Sequence, residues 1–404
     1  MKPNVLYLTY DGLTDPLGQS QVLPYLCGLS GEGYRITIIS FEKPDRFNRE
    51  KSRIGEICNE FNLTWKPLWY HKRPPIFSTL YDLIQLKKLG FDLHRHQQFE
   101  VVHCRSYVTA LIGMWMKRRF NTRFIFDMRG FWADERVEGG LWNLANPVFN
   151  VVYRFFKKKE KEFLKEADHV ISLTENAKIE ILSWKITPQP IAVIPTCVDL
   201  ELFNPNLIKA EDKDSLRERL GIKPDEFVLI YLGSWGTWYL AKQMLAFFSQ
   251  LKLNIENAKF LIVSTDKIEL DNYVHRNDVV ITPAPRHLVP LYISIASASI
   301  FFLRPSFSKK ASSATKMGEL MAMNVPVITN KGWGDVESIF DGFRCGYYLS
   351  GFSNQSFDDS LNWVKNDFKE SRTKATELFD LKAGIKEYSR IYSELVHLSS
   401  DRAR

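Results

Sequence analysis

A basic, hydroxyl-rich loop that leads into an apolar helix is the segment of this sequence best suited to chemistry. Residues 303–338 read LRPSFSKKASSATKMGELMAMNVPVITNKGWGDVES. Free N–H groups and the positive dipole end at the start of a helix bind anions, and hydroxyl side chains cap such starts. The segment therefore predicts a diphosphate site made of capping hydroxyls and lysines: Ser312, Ser313, Thr315, Lys309, Lys310 and Lys316.

Glu319 follows one turn later on the same helix. A helix face that covers a sheet is normally apolar, so a carboxylate at this place predicts an acceptor of hydrogen bonds from a hydroxylated ligand. The alternative is a simple capped helix with Glu319 on the surface.

A tight polar loop, DGLTDPLGQSQ (11–21), follows the first predicted strand. Open α/β sheets bind ligands at the carboxyl ends of their strands, and a helix start there can face an anion. We predict that Gly12 and Gly18 contact the substrate that donates a group, and that Asp15 and Gln19 contact the substrate that accepts it. The following helix is predicted to begin at residues 19–21. The GxGxxG pattern of dinucleotide dehydrogenases does not occur here. A plain turn is the alternative.

Charged residues also follow two further predicted strands, in VVHCRSY (101–107) and FDMRGFWADE (126–135). Arg129 could hold a phosphate with two parallel hydrogen bonds, or form a structural ion pair with Asp127 or Asp134. We take Arg129, Asp134 and Lys316 as catalytic candidates. His103 is a binding candidate; the alternative interpretation is that it is a structural residue whose partly buried side chain is satisfied by hydrogen bonds within the protein. The acceptor candidates near these strand ends are His103, Arg105, Glu135 and Arg136.

Parallel strands are needed to bring these residues together. Short runs rich in Val, Ile and Phe alternate with helix-length segments, which is typical of right-handed βαβ units. The pattern starts afresh after residue 225, so two sheets are predicted. The predicted strands are 5–10, 35–41, 101–106, 123–128 and 169–174 in the first sheet, and 227–233, 259–265, 279–284, 298–303 and 325–330 in the second.

The length of 404 residues also favours two domains, since one hydrophobic core stops growing at about 250 to 300 residues. Two prolines in AVIPTCVDLELFNPN (192–206) place the hinge near 195–208. We predict domains at 1–200 and 201–381, with an apolar stripe on a terminal helix, 382–404, packing back onto the first. The stripe consists of Ile385, Tyr388, Ile391, Tyr392 and Leu395.

Composition is that of an ordinary globular protein, with 45% apolar and 25% charged residues. The five cysteines fit neither a disulfide framework nor a CxxC metal pattern and predict reduced core thiols. Residues 1–200 carry 28 Lys and Arg against 22 Asp and Glu, and the rest 26 against 25. This favours an anionic partner for the first half, but the asymmetry is too mild for a dedicated nucleic-acid binder.

The N-terminus lacks a signal-peptide layout, and the uncharged stretch 288–303 is too short for a membrane span, so we expect a cytoplasmic protein. Segment 151–167 is amphipathic, with Val152, Phe155, Phe156, Phe163 and Leu164 on one side and lysines on the other. It predicts either peripheral contact with the cytoplasmic face of a membrane or a core-packed helix with a solvated basic face.

In combination these motifs resemble glycosyltransferase family 4. The segment GELMAMNVPVI is similar to that family's EAMACGTPVV, which places Glu319 at the second glutamate of the Glu-x7-Glu motif. The Gly-rich loop, the ADH segment at 167–169 and the terminal helix are similar too. The resemblance implies the GT-B fold, an α/β architecture of two Rossmann-like, doubly wound parallel-sheet domains facing a central cleft.

The resemblance also implies roles. The domain 1–200 would bind the acceptor and 201–381 the nucleotide sugar, with the ribose at Glu319 and the base near Ala284, Pro285 and Arg286. The sequence departs from the family where Ala311 replaces the first glutamate and Arg129 a common histidine. The usual Arg and Lys diphosphate clamp is replaced by GSWGTWYLAK, which contributes Gly233, Ser234 and Thr237. Lys316 is the predicted substitute for that clamp.

The resulting hypothesis is a glycosyltransferase that moves a sugar from a UDP- or GDP-linked donor to a glycan or lipid-linked acceptor in bacterial surface-glycan synthesis. Family resemblance implies retention of anomeric configuration. Neither a cofactor nor a metal is expected. Two alternatives remain open: a GT-B nucleotide-sugar epimerase, which needs no acceptor, and a catalytically silent, glycan-binding GT-B subunit.

Overall fold

The computed structural model describes residues 2–186, 190–341 and 344–400, with only the backbone for 397–400. Residues 401–404 of the predicted terminal helix lie outside this described part. The chain divides into two compact units: unit 1 is 1–195 with 381–404, and unit 2 is 196–380. Each unit contains one parallel sheet with helices, which confirms the predicted fold class of two parallel-sheet α/β domains.

Unit 1 has a seven-stranded sheet of order β3-β2-β1-β4-β5-β6-β7, parallel throughout. Its core is the near-continuous run of buried residues along the central strands, as expected for a sheet covered on both faces. The strands are β1 (Asn4–Thr9), β2 (Arg35–Glu42), β3 (Thr64–Trp69), β4 (Val101–Arg105), β5 (Arg123–Asp127), β6 (His169–Ser172) and β7 (Ile191–Val193).

Nine helices of unit 1 are described. They are α1 (Pro16–Gln21), α2 (Leu23–Gly31), α3 (Pro44–Glu60), α4 (Phe77–Gln97), α5 (Ser106–Phe120), α6 (Trp132–Glu138), α7 (Pro147–Glu166), α8 (Glu175–Ser183) and the terminal helix α16 (Leu381–Ser400).

Unit 2 has a six-stranded parallel sheet of order β10-β9-β8-β11-β12-β13. Its strands are β8 (Val228–Leu232), β9 (Lys259–Val263), β10 (Val279–Thr282), β11 (Ala298–Ile300), β12 (Val327–Asn330) and β13 (Tyr347–Leu349). The α-helices are α9 (Ala210–Leu220), α10 (Ala241–Asn254), α11 (Val289–Ser294), α12 (Thr315–Ala322), α13 (Val336–Phe340), α14 (Asn354–Asn366) and α15 (Arg372–Phe379).

Three strands were missed from the sequence, all at sheet edges. Strand β3 contains Pro67 and mostly exposed or half-buried residues, so it lacks the apolar run of a central strand. Strands β7 and β13 have three residues each, too short for a recognisable pattern.

The predicted start of the first helix was wrong by three residues. Helix α1 begins at Pro16 and not at residues 19–21. Proline favours the first position of a helix because its φ is already helical and its missing N–H has no partner to lose there.

The terminal helix α16 packs onto α2 and β4 of unit 1. Tyr388, Ile391, Tyr392 and Leu395 of the predicted stripe are buried. A Cβ atom on Gly28 would overlap Ile385, so glycine allows the close approach of α2 and α16. The five cysteines are free and buried, as predicted.

Candidate functional site

Lys316 is buried inside a pocket of aromatic rings in unit 2. Its Nζ atom lies 3.6 Å from the centre of the Tyr239 ring, 4.3 Å from that of Tyr231 and 5.7 Å from that of Phe301. It donates a hydrogen bond to the Tyr231 hydroxyl at 3.3 Å. An ammonium has three donors, so this arrangement leaves capacity for a further acceptor.

Burial lowers the pKa of Lys316 well below the usual value for lysine, although the carboxylate of Glu319 acts in the opposite direction. The desolvated ammonium would gain from any anion that reaches it. The pocket therefore suits a phosphate group.

The loop after β8 lies directly over this ammonium. A Cβ atom at Gly233, whose φ is +102°, would be 3.2 Å from Lys316 Nζ, so any larger residue here would crowd the ammonium. The Ser234 carbonyl accepts a hydrogen bond from the Tyr231 hydroxyl. Thr237, at φ +55°, belongs to the same loop, and its side chain is exposed. The structure thus brings the predicted Gly233 and Lys316 together.

The predicted capping of helix α12 by hydroxyl side chains was wrong. The N-cap residue is Ala314, and no side chain caps the helix. Ser313 instead pairs with Thr196, accepting from its amide at 3.1 Å and meeting its hydroxyl at 2.9 Å. The amide of Ser312 donates to the carbonyl of Lys309, and Thr315 is the first helical residue. The first turn of α12 is consequently left without a side-chain cap.

Glu319 and Arg286 form an ion pair in unit 2. Glu319 is buried, so the alternative of a surface glutamate is wrong. The Arg286 guanidinium also lies 4.7 Å from the centre of the Phe203 ring. Ala284 and Pro285 immediately precede Arg286. The residues predicted to hold the base and the ribose therefore meet at this ion pair.

In unit 1, backbone amides of the glycine-rich loop between β1 and α1 are hydrogen-bonded to a carboxylate of the protein itself. The amides of Leu13 and Thr14 donate to Glu42, at 2.8 and 3.2 Å. A Cβ atom on Gly12 would be 2.6 Å from Glu42 Oε2, and one on Gly18 would collide with the Gly12 carbonyl. Internal packing thus explains both glycines, and their predicted donor contacts stay a prediction.

The polar side chains of this loop are also engaged within unit 1. Asp15 forms ion pairs with Lys43, at 2.6 Å, and with Arg46. The side-chain amide of Gln19 donates to the Thr14 carbonyl at 3.1 Å. An acceptor substrate that binds Asp15 would therefore compete with the side chains of Lys43 and Arg46.

A buried charged cluster lies at the carboxyl ends of β4 and β5. His103 Nδ1 is 2.7 Å from the Tyr392 hydroxyl, and its Nε2 is 3.4 Å from Asp127 Oδ2. Burial lowers the pKa of His103, which favours neutral imidazole despite the adjacent carboxylate. Arg105 Nε donates to Asp11 at 3.4 Å. The alternative for His103, a satisfied and buried residue, fits this environment.

Arg129 is the member of this cluster with unused hydrogen-bonding capacity. Its Nη1 atom is 3.8 Å from Asp127 Oδ1, an ion-pair distance that is too long for a hydrogen bond. Both atoms are buried and have no hydrogen-bond partner within the described part of the chain. Burial alone would raise the pKa of Asp127, but Arg129, His103 and Arg105 together hold it below its usual range. Arg129 itself has φ +55°, an uncommon conformation for a residue other than glycine.

Asp134 does not join Arg129. Its carboxylate accepts hydrogen bonds from the Tyr153 hydroxyl and from Lys157 Nζ, both at 2.8 Å and both on α7. The suggested Arg129–Asp134 ion pair is therefore wrong, and Asp134 contributes to the packing of α6 on α7. Arg136 lies over the Trp132 ring, 5.0 Å from its centre, and Glu135 occupies the preceding position on α6.

Several residues at the site were missed from the sequence. Tyr231 and Tyr239 form the lysine pocket, Glu42 closes the glycine-rich loop, and Asp266 accepts from the Trp235 amide at 2.7 Å. A detectable signal was the position of Glu42 and Asp266 at or just after predicted strands, where ligand-facing groups gather. The tyrosines gave no such signal, because aromatic residues are common in strands.

Within residues 2–186, 190–341 and 344–400, no group of three or more His, Cys, Asp or Glu side chains is placed to hold a metal ion. The helices of that part of the chain include none that is long and apolar enough to cross a membrane.

Residues 21–202 match the family model described as Glycosyltransferase Family 4. The chain is 24% identical over 402 residues to the UDP-Gal:alpha-D-GlcNAc-diphosphoundecaprenol alpha-1,3-galactosyltransferase of Escherichia coli, covering 93% of this chain and 96% of that protein. It is 22% identical over 142 residues to D-inositol 3-phosphate glycosyltransferase 2 of Catenulispora acidiphila. That match covers 35% of this chain and spans about a third, 31%, of the relative's length.

Solved structures with the same two-domain architecture include sucrose-phosphate synthase from Thermosynechococcus elongatus, with a TM-score of 0.74 at 14% identity over 98% of this chain and 100% of that one. Anabaena HepE in complex with UDP and glucose has a TM-score of 0.69 at 14% identity, covering 97% and 99%. UDP-GlcNAc 2-epimerase from Neisseria meningitidis has a TM-score of 0.59 at 13% identity, covering 98% and 99%. At these identities the likeness shows the shared GT-B fold.

Proposed function

We propose that this chain, a GT-B glycosyltransferase of the family 4 type, transfers a sugar from a nucleoside-diphosphate sugar to a glycan or lipid-linked acceptor. The observation that carries the proposal is the Lys316 ammonium, which is buried among aromatic rings beside Gly233 at the start of α12, where no side chain caps the helix. A diphosphate leaving group needs such a fixed positive charge, because negative charge develops on it as the bond to the sugar breaks.

The proposed reaction retains anomeric configuration. The bond between the anomeric carbon and the diphosphate oxygen breaks, a new bond to the acceptor oxygen forms on the same face, and the acceptor proton passes to the leaving phosphate. Lys316 and the first amides of α12 stabilise the departing charge, so the proposed mechanism uses neither a protein base nor a metal ion. Glu319 and Arg286 would hold the ribose and the base.

A UDP-linked donor is supported by two comparisons, since Anabaena HepE was crystallised with UDP and the Escherichia coli relative is named for UDP-Gal. That relative's named acceptor is a diphosphoundecaprenol-linked sugar. For this chain we propose a phosphate-bearing, lipid-linked acceptor in bacterial surface-glycan synthesis, held in unit 1. The candidate contacts are Arg105, Arg129 and Arg136, and the enzyme would work in peripheral contact with the cytoplasmic face of the membrane.

The test begins with a thermal-shift screen of UDP- and GDP-sugars, followed by product analysis with and without a short-chain polyprenyl-diphosphate sugar as acceptor. Sugar transfer that requires the acceptor supports the proposal. Conversion of the donor without any acceptor would instead identify an epimerase, and binding without turnover a silent subunit. Lys316→Met serves as the inactive control.

A further inference from the structure

Helix α4 of unit 1 has an apolar outer face. Phe77, Leu80, Tyr81 and Ile84 are each between 50% and 71% exposed. Their spacing of i, i+3, i+4 and i+7 places them in one stripe along two turns of the helix. A surface helix normally turns such a stripe toward the core, so this helix presents to its surroundings the face that is usually covered.

Polar bonds on the inner side fix α4 in this orientation. The buried side of the helix contains Ser78 and Asp82. Asp82 accepts a hydrogen bond from the Tyr10 hydroxyl at 2.7 Å and lies 2.6 Å from His71 Nδ1. Rotating the apolar stripe inward would break these bonds and move the Asp82 carboxylate out of its buried position. The exposed stripe is therefore a built feature of the fold.

Positive charge surrounds the stripe. Lys87 and Lys88 continue it along the same face of α4, and Lys72 and Arg73 precede the helix; all four are exposed. Across residues 64–91 the one acidic side chain is the buried Asp82. Apolar side chains with a cationic border match the chemistry of an anionic lipid surface.

Helix α7 has a similar exposed apolar stripe, but Glu162, which is ion-paired with Lys159 at 2.6 Å, lies between the lysines of its outer face. Val148, Val151 and Phe155 are 57%, 67% and 44% exposed, and the exposed Lys158 and Lys165 follow on the same face. The core-packed interpretation of segment 151–167 thus holds for Phe156, Phe163 and Leu164, which are buried, but Phe155 faces outward.

The two helices lie in one layer, since α5 packs against both α4 and α7. Each runs back from the carboxyl end of a parallel strand, so their apolar N-terminal halves lie toward the same edge of the sheet. Arg129 and the cluster at the ends of β4 and β5 lie at that edge.

We propose that the outer faces of α4 and α7 form a docking face that binds an anionic lipid bilayer. Its apolar side chains enter the interface between headgroups and acyl chains, while the lysines contact the headgroups. The main apolar side chains are those of Phe77, Leu80, Ile84 and Val151. The proposal deepens the membrane contact proposed above and rests on that function for its purpose, which is to bring unit 1 to a lipid-linked acceptor.

The test is sedimentation of the full-length protein with vesicles of phosphatidylcholine alone or mixed with phosphatidylglycerol. We expect binding to the anionic vesicles that weakens with salt. The pair Phe77→Ser and Ile84→Ser should lower the partition coefficient at least about tenfold, as should Lys87→Glu with Lys88→Glu. A matched control pair, Leu253→Ser and Val274→Ser, removes exposed apolar side chains from unit 2 and should leave binding unchanged.

Thermal unfolding of each variant verifies that it folds. Equal vesicle binding by the docking-face variants and the control pair would overturn the proposal, as would failure of the unmodified protein to bind anionic vesicles. Self-association abolished by Phe77→Ser and Ile84→Ser, without vesicle binding, would identify a second copy of the chain as the occupant instead.

The proposal and the enzymatic function can fail separately. With a detergent-solubilised acceptor, the docking-face variants should transfer sugar as well as the unmodified protein. Lys316→Met should lose transfer but still bind anionic vesicles.

Discussion

The ammonium group of Lys316 lies 3.6 Å from the centre of the Tyr239 ring, against the negatively polarised face of the aromatic system. Aromatic faces stabilise a cation without neutralising it. A carboxylate at this place would compete with an incoming phosphate, whereas tyrosine rings leave the positive charge available. This relationship is the physical basis of our proposal that Lys316 substitutes for a two-residue diphosphate clamp.

Replacing Lys316 by methionine should weaken binding of UDP far more than binding of uridine. The lost contact is a charge-assisted hydrogen bond, which corresponds to about 1.5 to 3 kcal/mol, or roughly 10- to 150-fold in Kd. Titration calorimetry with both ligands measures the difference. Lys242→Met is the matched control, because Lys242 is an exposed lysine following the same loop. Equal loss in both variants would show that the effect is general electrostatics.

The affinity for UDP should fall as pH rises through the range in which Lys316 titrates. Burial lowers the pKa of Lys316 in the free protein, and a bound diphosphate would raise it again. Below the lower pKa the ammonium is present in both states and affinity is constant. Between the two pKa values binding takes up a proton, so affinity falls by up to about tenfold per pH unit.

Calorimetry in buffers of different ionisation enthalpy counts the protons taken up on binding. The variant Lys316→Met reports the titration of UDP itself, and its profile is subtracted. If the difference in UDP affinity between the unmodified protein and Lys316→Met does not change with pH, and no extra proton is taken up, the assignment of Lys316 to the diphosphate is wrong.

Replacing Glu319 by alanine should weaken binding of uridine and UDP alike, by about 1.5 to 3 kcal/mol, because the proposed contact is to the ribose. The variant also leaves Arg286 without its ionic partner. The companion variant Glu319→Gln keeps a hydrogen-bond acceptor and should recover part of the affinity. If calorimetry shows unchanged nucleotide affinity for Glu319→Ala, the ribose assignment is wrong.

Replacing Arg129 by methionine should raise KM for a phosphate-bearing acceptor by roughly 10-fold or more, with little change in KM for the donor. The proposed donor to the acceptor phosphate is the buried Nη1 atom, which has no hydrogen-bond partner in the described part of the chain. Steady-state kinetics at varied acceptor concentration measure the effect. Arg49→Met, at an exposed arginine of α3 outside the proposed docking face, is the control. Full activity on a neutral, lipid-free acceptor, unaffected by Arg129→Met, would reject an anionic acceptor.

Replacing Glu42 by alanine should lower the free energy of unfolding by at least about 2 kcal/mol, because the buried amides of Leu13 and Thr14 lose their acceptor. Thermal unfolding should show a midpoint lower by about 4 °C or more. Glu50→Ala removes a carboxylate that pairs with Arg53 on the helix surface, and should change the midpoint little. Similar effects of the two substitutions would contradict the closing role of Glu42.

The sequence by itself determined the alternation of strands and helices, because apolar runs and their spacing depend on local burial along a parallel sheet. It also singled out Glu319 as a candidate ligand-binding residue, because a carboxylate is unusual on an apolar helix. Edge strands such as β3 escaped, because a half-exposed strand lacks that pattern.

Only the tertiary structure decided what surrounds each predicted residue. The aromatic pocket of Lys316 joins the end of β8, the following loop and α12, segments up to 85 residues apart. Glu42 at the end of β2 accepts hydrogen bonds from the loop after β1, from amides that are 28 and 29 residues away in the sequence. The orientation of α4, with its apolar stripe exposed, depends on the contacts of Tyr10 and His71 with Asp82. Local propensity cannot encode these outcomes, because they depend on which distant side chains the sheet order brings together.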